Sequence, residues 1–204
     1  MSFNEIAQGP SLRLPNGCHV AHGSGTNVKK PFSNIPVVMH ELDAGGLPRE
    51  SRSYCGQLGF IMFDETLRLP RHVHIGTSRQ PSALVTERII VLGGVALVEL
   101  NGSVYVIAPG SLVTISPGVP HTWAVCPAGF SLPDGEISDG KFLMVYEYEE
   151  PTGFFPTKGT KTLQSVNEYE RYGGDLEDIR FPKMTKEEVV ERAKLIWNQE
   201  VLTL

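Results

Sequence analysis

The sequence predicts an all-β fold in which short strands close into a barrel. Between residues 57 and 149, runs of apolar and β-branched residues alternate with Gly, Pro and Asn turn signals at the short spacing of barrels and sandwiches. Asn101-Gly102 lies between two such runs, 95–100 and 103–107, and this dipeptide favours the type I′ turn of a hairpin. The same stretch carries His72, His74, Glu87 and His121 on successive expected strands, where ordinary packing gives no reason for them.

Each element follows in order. Residues 1–34 are rich in Gly, Asn, Ser and Pro and read as an extended N-terminal arm. Residues 35–42 form an expected strand, closed by the Ala44-Gly45-Gly46-Leu47-Pro48 break. Strands follow at 57–67 and at 69–75, the second carrying two histidines. The β-branched run after Glu87 ends at Gly93-Gly94, and the 95–107 hairpin follows. Pro109-Gly110 turns the chain into a strand at 111–115, and Pro117-Gly118-Val119-Pro120 turns it into a strand bearing His121 and Trp123. A loop over 127–140 precedes a strong strand at 141–149. The tail changes character. Residues 164–172 suggest a short helix, and Thr185-Lys186-Glu187-Glu188 is a capping box. Val189, Val190, Ala193, Ile196 and Trp197 then share one helical face, which predicts a helix over 186–199. The expected organisation is an arm (1–34), a barrel (35–150) and a C-terminal helical extension packed on it (151–204).

Composition narrows the function. The chain has 204 residues, of which 41% are hydrophobic and 20% charged, which suits one globular domain with a sizeable core. The net charge is −5 with no basic cluster, which argues against nucleic acid or an anionic membrane as partner. Residues 1–20 lack the apolar core of a signal peptide, and no run approaches the roughly 18 apolar residues of a membrane span. Cys18, Cys55 and Cys126 are odd in number and widely spaced, as expected of a reduced, cytoplasmic chain.

In a strand, residues i and i+2 point the same way, so His72 and His74 project together, about 7 Å apart along the chain. Three neutral imidazoles with a carboxylate suit one divalent first-row ion and leave positions open for water, dioxygen or a chelating substrate. His19, His22 and His40 read as solvated or packing histidines. Trp123, two residues after His121, should face the same cavity, either as a substrate wall or as core filling. On the 141–149 strand Met144, Tyr146 and Tyr148 alternate with Leu143, Val145 and Glu147, and one row must face inward, so a tyrosine hydroxyl, with Tyr146 foremost, or Glu147 is a candidate acid or base. Arg71 and Arg88 are adjacent to His72 and Glu87 and should point to the opposite face.

The pattern resembles the cupin superfamily, whose first motif is G-x5-H-x-H-x3–4-E-x6-G and second G-x5-P-x-G-x2-H-x3-N. His72, His74, Glu87 and Gly94 match the first, and Gly110, Gly118 and His121 the second, over roughly residues 56–150. Twelve residues, 75–86, separate His74 from Glu87 where the family has three or four. Ser116 stands in place of the family's Pro, and Val125 in place of its Asn. The long insertion leaves Gln80 as a rival fourth ligand; Glu87 is preferred for its spacing to Gly94 and for its charge. The resemblance implies a jelly-roll barrel holding one divalent transition-metal ion on His72, His74, Glu87 and His121. Fe(II) is favoured, with Mn, Ni, Zn, Co or Cu as other occupants. It also implies a homodimer and a small-molecule substrate, with Gln80 and Trp123 lining the substrate side and Glu87, Tyr146 and Glu147 as candidates for the chemistry. The leading expectation is a dioxygenase acting on an aromatic or polyketide-like molecule. A non-oxidative decarboxylase, lyase or isomerase comes second, and a non-catalytic binding protein third.

Overall fold

A computed structural model describes residues 12–23, 27–29, 39–41, 57–78 and 80–204. The 44–48 break, Cys55 and most of the expected 35–42 strand lie outside the described residues, as does the His40 side chain.

Two sheets form the barrel. The six-stranded sheet has the order β1-β2-β10-β7-β12-β5. Its strands are β1 (Leu12–Arg13), β2 (His19–His22), β5 (Leu58–Asp64), β7 (Glu87–Gly94), β10 (Ser111–Ile115) and β12 (Lys141–Tyr148). The seven-stranded sheet has the order β13-β6-β11-β8-β9-β14-β15. It consists of β6 (His72–Gly76), β8 (Ala96–Leu100), β9 (Ser103–Ile107), β11 (His121–Val125), β13 (Thr152–Pro156), β14 (Ala193–Trp197) and β15 (Glu200–Thr203). A separate pair joins β3 (Asn27–Lys29) to β4 (Met39–Glu41). Consecutive strands repeatedly switch sheets, as β6, β7 and β8 do, and nearly all pairs are antiparallel. The arrangement is a jelly-roll β-barrel.

The sheets enclose a core that includes Ile89, Leu100, Ile107, Val113, Trp123 and Met144. Strand β8 is buried on both faces: Val98 and Leu100 enter this core, while Leu97 faces a second cluster with Phe130, Phe181 and Val189. The hairpin joining β8 to β9 forms where the dipeptide predicts it, with positive φ at both Asn101 (52°) and Gly102 (79°), as a type I′ turn requires. Gly118 is fixed by space as well as by its φ of 76°: a Cβ there would run into the Leu163 carbonyl.

Three expectations need correction. Part of the expected arm is barrel: β2 pairs with β10, and Val20 is fully buried in the core. The suggested helix at 164–172 is a single 3-10 turn, Val166–Glu168. The C-terminal helix α1 (Lys186–Arg192) begins at the capping box as read but ends seven residues early. From Ala193 the chain becomes β14, laid parallel to β9. Ile196 and Trp197 suit a strand, and β9 offers this stretch an open edge.

Candidate metal centre

The four residues read from the motifs converge between the two sheets. Strands β6 and β11 bring the histidines from the seven-stranded sheet, with His72 and His121 as direct cross-strand partners. Glu87 opens β7 in the other sheet. The twelve-residue insertion doubles back on β6: Gly76 N donates to the Ala83 carbonyl at 2.8 Å, and Val85 N to the His74 carbonyl at 3.1 Å. The chain then crosses to the second sheet with Glu87 facing the histidines.

Imidazole centroids lie 4.9 Å (His72–His74), 4.4 Å (His72–His121) and 5.1 Å (His74–His121) apart. One ring nitrogen from each falls within 4.8 Å of the other two. Glu87 Oε2 lies 3.3 Å from His74 Nε2 and 2.9 Å from His121 Nε2. All four side chains are buried.

The outer hydrogen bonds set the tautomers. His72 Nδ1 meets the Pro70 carbonyl at 2.8 Å, His74 Nδ1 the Gly153 carbonyl at 3.1 Å, and His121 Nδ1 the Val119 carbonyl at 2.9 Å. A carbonyl only accepts, so each Nδ1 donates, and each neutral ring turns an Nε2 lone pair inward. His74 Nε2, His121 Nε2 and Glu87 Oε2 are buried without a hydrogen-bond partner. Acceptors in such contact repel unless a cation, either a proton or a metal ion, lies between them. The site therefore fits a divalent ion, with the carbonyl–imidazole contacts typical behind metal-bound histidines.

Burial, reinforced by the neighbouring His121 and His74 charges, holds His72 well below the usual histidine range. Burial alone would raise Glu87, but in the metal-free site the charge and hydrogen bonding of His74 and His121, acting through the proton that relieves this contact, outweigh it and keep the carboxyl well below its usual range. Burial also pushes Tyr148 upward, and the Glu87 carboxylate that its hydroxyl faces adds to the shift.

The other expected site residues fall in different places. Gln80 is exposed in the 77–86 loop, which removes the support for it as fourth ligand. Trp123 is 1% exposed and sits in the core, its ring centroid 6.4 Å from Phe142, so it fills the barrel rather than walling an open cavity. Tyr146 is half-buried, with its ring 5.3 Å from that of Tyr148. Glu147 is the cross-strand partner of Arg88 on the opposite face, with its carboxylate 4.0 Å from that guanidinium. Arg71 also faces away from the histidines, but it is not a free surface residue: it makes a bidentate pair with buried Glu99, at 2.6 and 3.1 Å. His22 packs on Trp197 at 4.5 Å.

Two further neighbours complete the site, one in the tyrosine row of β12 and one that the sequence reading missed. Tyr148 is the cross-strand partner of Glu87, and its ring lies 4.5 Å from His74. Strand parity left open which row of β12 points inward, and pairing with β7 turns the Tyr148 row to the site. Phe154, on β13, packs over His72 and His74 at 4.5 and 5.7 Å. No local pattern marked it, since pairing of β13 with β6 is a long-range event.

No protein-family model matches the chain, and no curated protein matches it in sequence. Among solved structures it is similar to a dTDP sugar isomerase from Desulfovibrio desulfuricans, at 15% identity and a TM-score of 0.40 over 79% of this chain and 95% of that one. It is also similar to a dTDP-4-dehydrorhamnose 3,5-epimerase from Elizabethkingia anophelis, at 10% identity and a TM-score of 0.44 over 70% and 74%. A Cupin 2 conserved barrel domain protein from Salinispora arenicola aligns at 15% identity and a TM-score of 0.29 over 67% and 79%.

Proposed function

We propose that His72, His74, His121 and Glu87 hold one divalent transition-metal ion, and that the chain is a metal-dependent enzyme acting on a small organic molecule. The observation that carries this reading is the set of buried acceptor atoms, His74 Nε2, His121 Nε2 and Glu87 Oε2, turned towards one another and without a hydrogen-bond partner. A protein retains such repulsion when a cation normally relieves it.

The finer reading is a dioxygenase using Fe(II). A ferrous ion would supply electrons to dioxygen and leave exchangeable positions beside four protein ligands. The chain's own residues prepare that site. Three backbone carbonyls fix the imidazoles as neutral donors, and Glu87 offsets one of the ion's two charges. Every residue of β6 and β11 is buried, which keeps bulk water from the ligands. The Tyr148 hydroxyl, facing Glu87, remains protonated and orients that carboxylate.

The test is metal analysis of protein purified without chelators, followed by oxygen uptake on an aromatic substrate panel with Fe(II) or Zn(II) loaded. Oxygen-dependent turnover with iron and none with zinc is the expected result, because zinc is redox-silent. Turnover at the aerobic rate under argon would replace oxygenation with decarboxylation, elimination or isomerisation at the same ion. We also propose a homodimer. The edge strand β5 exposes Leu58, Phe60 and Met62 in one row, an apolar face that a second copy would cover. Light scattering should return twice the 22.4 kDa chain mass, and a monomer would reject the dimer.

A further inference from the structure

The imidazoles are buried, yet one ring packed directly on them is open to solvent. Phe154 is 50% exposed, while His72 and His74 are 1% and 2% exposed. It is the register partner of His74 across β13 and β6, so both side chains stand on the same sheet face. Its centroid lies 4.5 Å from His72 and 5.7 Å from His74. The ring contacts continue from His74 to Tyr148 at 4.5 Å, and from Tyr148 to half-buried Tyr146 at 5.3 Å. A singly exposed phenylalanine is ordinary on a protein surface. This one differs because one side of its ring is held against two of the proposed metal ligands while the other meets water.

We propose that Phe154 is a specificity-determining residue, and that its solvent-facing side receives the ring of a planar aromatic substrate whose oxygen donors reach the ion beside it. This rests on the metal reading above and adds a substrate class to it. Aromatic pairs favour offset or edge-to-face contact, and one such pair changes binding by about three- to ten-fold. The ring is half exposed, so a ligand can meet its outer side without opening the barrel.

The experiment uses the full chain loaded with Co(II) under argon, so that binding is read from the cobalt d–d bands without any turnover. Catechol and acetohydroxamate are titrated separately: both chelate through two oxygens, but only catechol has a ring. Phe154→Ala should leave Co(II) affinity and the thermal melt near wild type. It should weaken catechol roughly three- to ten-fold and change acetohydroxamate by less than twofold. Phe154→Leu, which keeps an apolar side chain without a ring, should weaken catechol selectively as well. Equal losses for both chelators, or no loss for catechol, would overturn the role of Phe154 while leaving the metal reading intact. Failure of the wild-type protein to bind Co(II) would overturn the metal reading, and this inference with it.

Discussion

At Glu87 a carboxylate oxygen and an imidazole nitrogen meet at 2.9 Å although the Val119 carbonyl has already claimed that ring's Nδ1 proton. Substituting His72, His74 or His121 by Ala, or Glu87 by Gln, should therefore weaken metal binding by about 100-fold or more. Loss of outer partners alone costs 10–100-fold. Gln80→Ala, in the exposed loop, should leave metal affinity unchanged; calorimetry with Co(II) or Zn(II) checks the ranking, and the reverse order would restore Gln80 as ligand. The pH dependence has a definite sign. His72 is held below its ordinary value of 6.5 in the folded state, and Glu87 below 4.5. Both depressed groups stabilise the metal-free fold above their unfolded values, and that stability is lost as pH falls towards their folded values. Denaturant midpoints of the metal-free protein should hence decline below about pH 6.5, first through His72 and then through Glu87. Metal binding should release protons and weaken over the same acid range, readable as buffer-dependent heats. The sequence disclosed these four residues because strand parity and the spacing from Glu87 to Gly94 are local. Parity also aimed Trp123 inward, but depth within the barrel depends on the opposing sheet. The same limit left Tyr148 undecided against Glu147, since the inward row of β12 is settled by its pairing with β7.

Strand β14 shows how an element's type can be settled by its neighbour. Residues 189–197 satisfy a helical spacing, yet the helix ends at Arg192 and Ala193–Trp197 joins β9. The capping box was legible because its bonds span three residues: Thr185 Oγ1 accepts from Glu188 N at 3.2 Å, and Glu188 Oε2 from Thr185 N at 2.8 Å. The helix end was not, because the open edge that recruits β14 lies some ninety residues earlier. The two readings separate Val190 from Ile196, which a single long helix would bury together. Val190 is 45% exposed and Ile196 1%. Ile196→Ala should cost about 2–5 kcal/mol and Val190→Ala less than about 0.5 kcal/mol, measured by denaturant unfolding. Similar costs at both positions would favour the helix. Truncation after Arg192 should be harsher, because it strips Leu195 and Ile196 from the two cores and bares the β9 edge.

For the whole molecule, the site is also a fastener. Its histidines belong to one sheet and its carboxylate to the other, so a bound ion would tie the two halves of the jelly roll across the core. A ligand that binds only the native state at 100 times its dissociation constant adds about 2.7 kcal/mol. In a chain of this size that corresponds to a rise in Tm of roughly 5–10 °C. Calorimetric scans with and without chelator should show the rise in wild type and not in His121→Ala; an equal rise in both would place the ion elsewhere. The barrel was legible from its turns and alternating runs, which recur locally. The second apolar cluster was not, because Phe181, Val189 and Leu195 reach it through a tail whose course depends on the finished barrel.

His22 N donates to Gln199 Oε1 at 2.7 Å, a contact spanning 177 residues. During synthesis at 5–20 residues per second, roughly 10–35 s would separate the emergence of these two partners. For much of that interval the nascent β9 would have its edge uncovered, since its parallel partner β14 is made some ninety residues later. This sheet therefore closes only after β14 has emerged, and until then the nascent chain presents an open β-edge, the feature that invites aggregation.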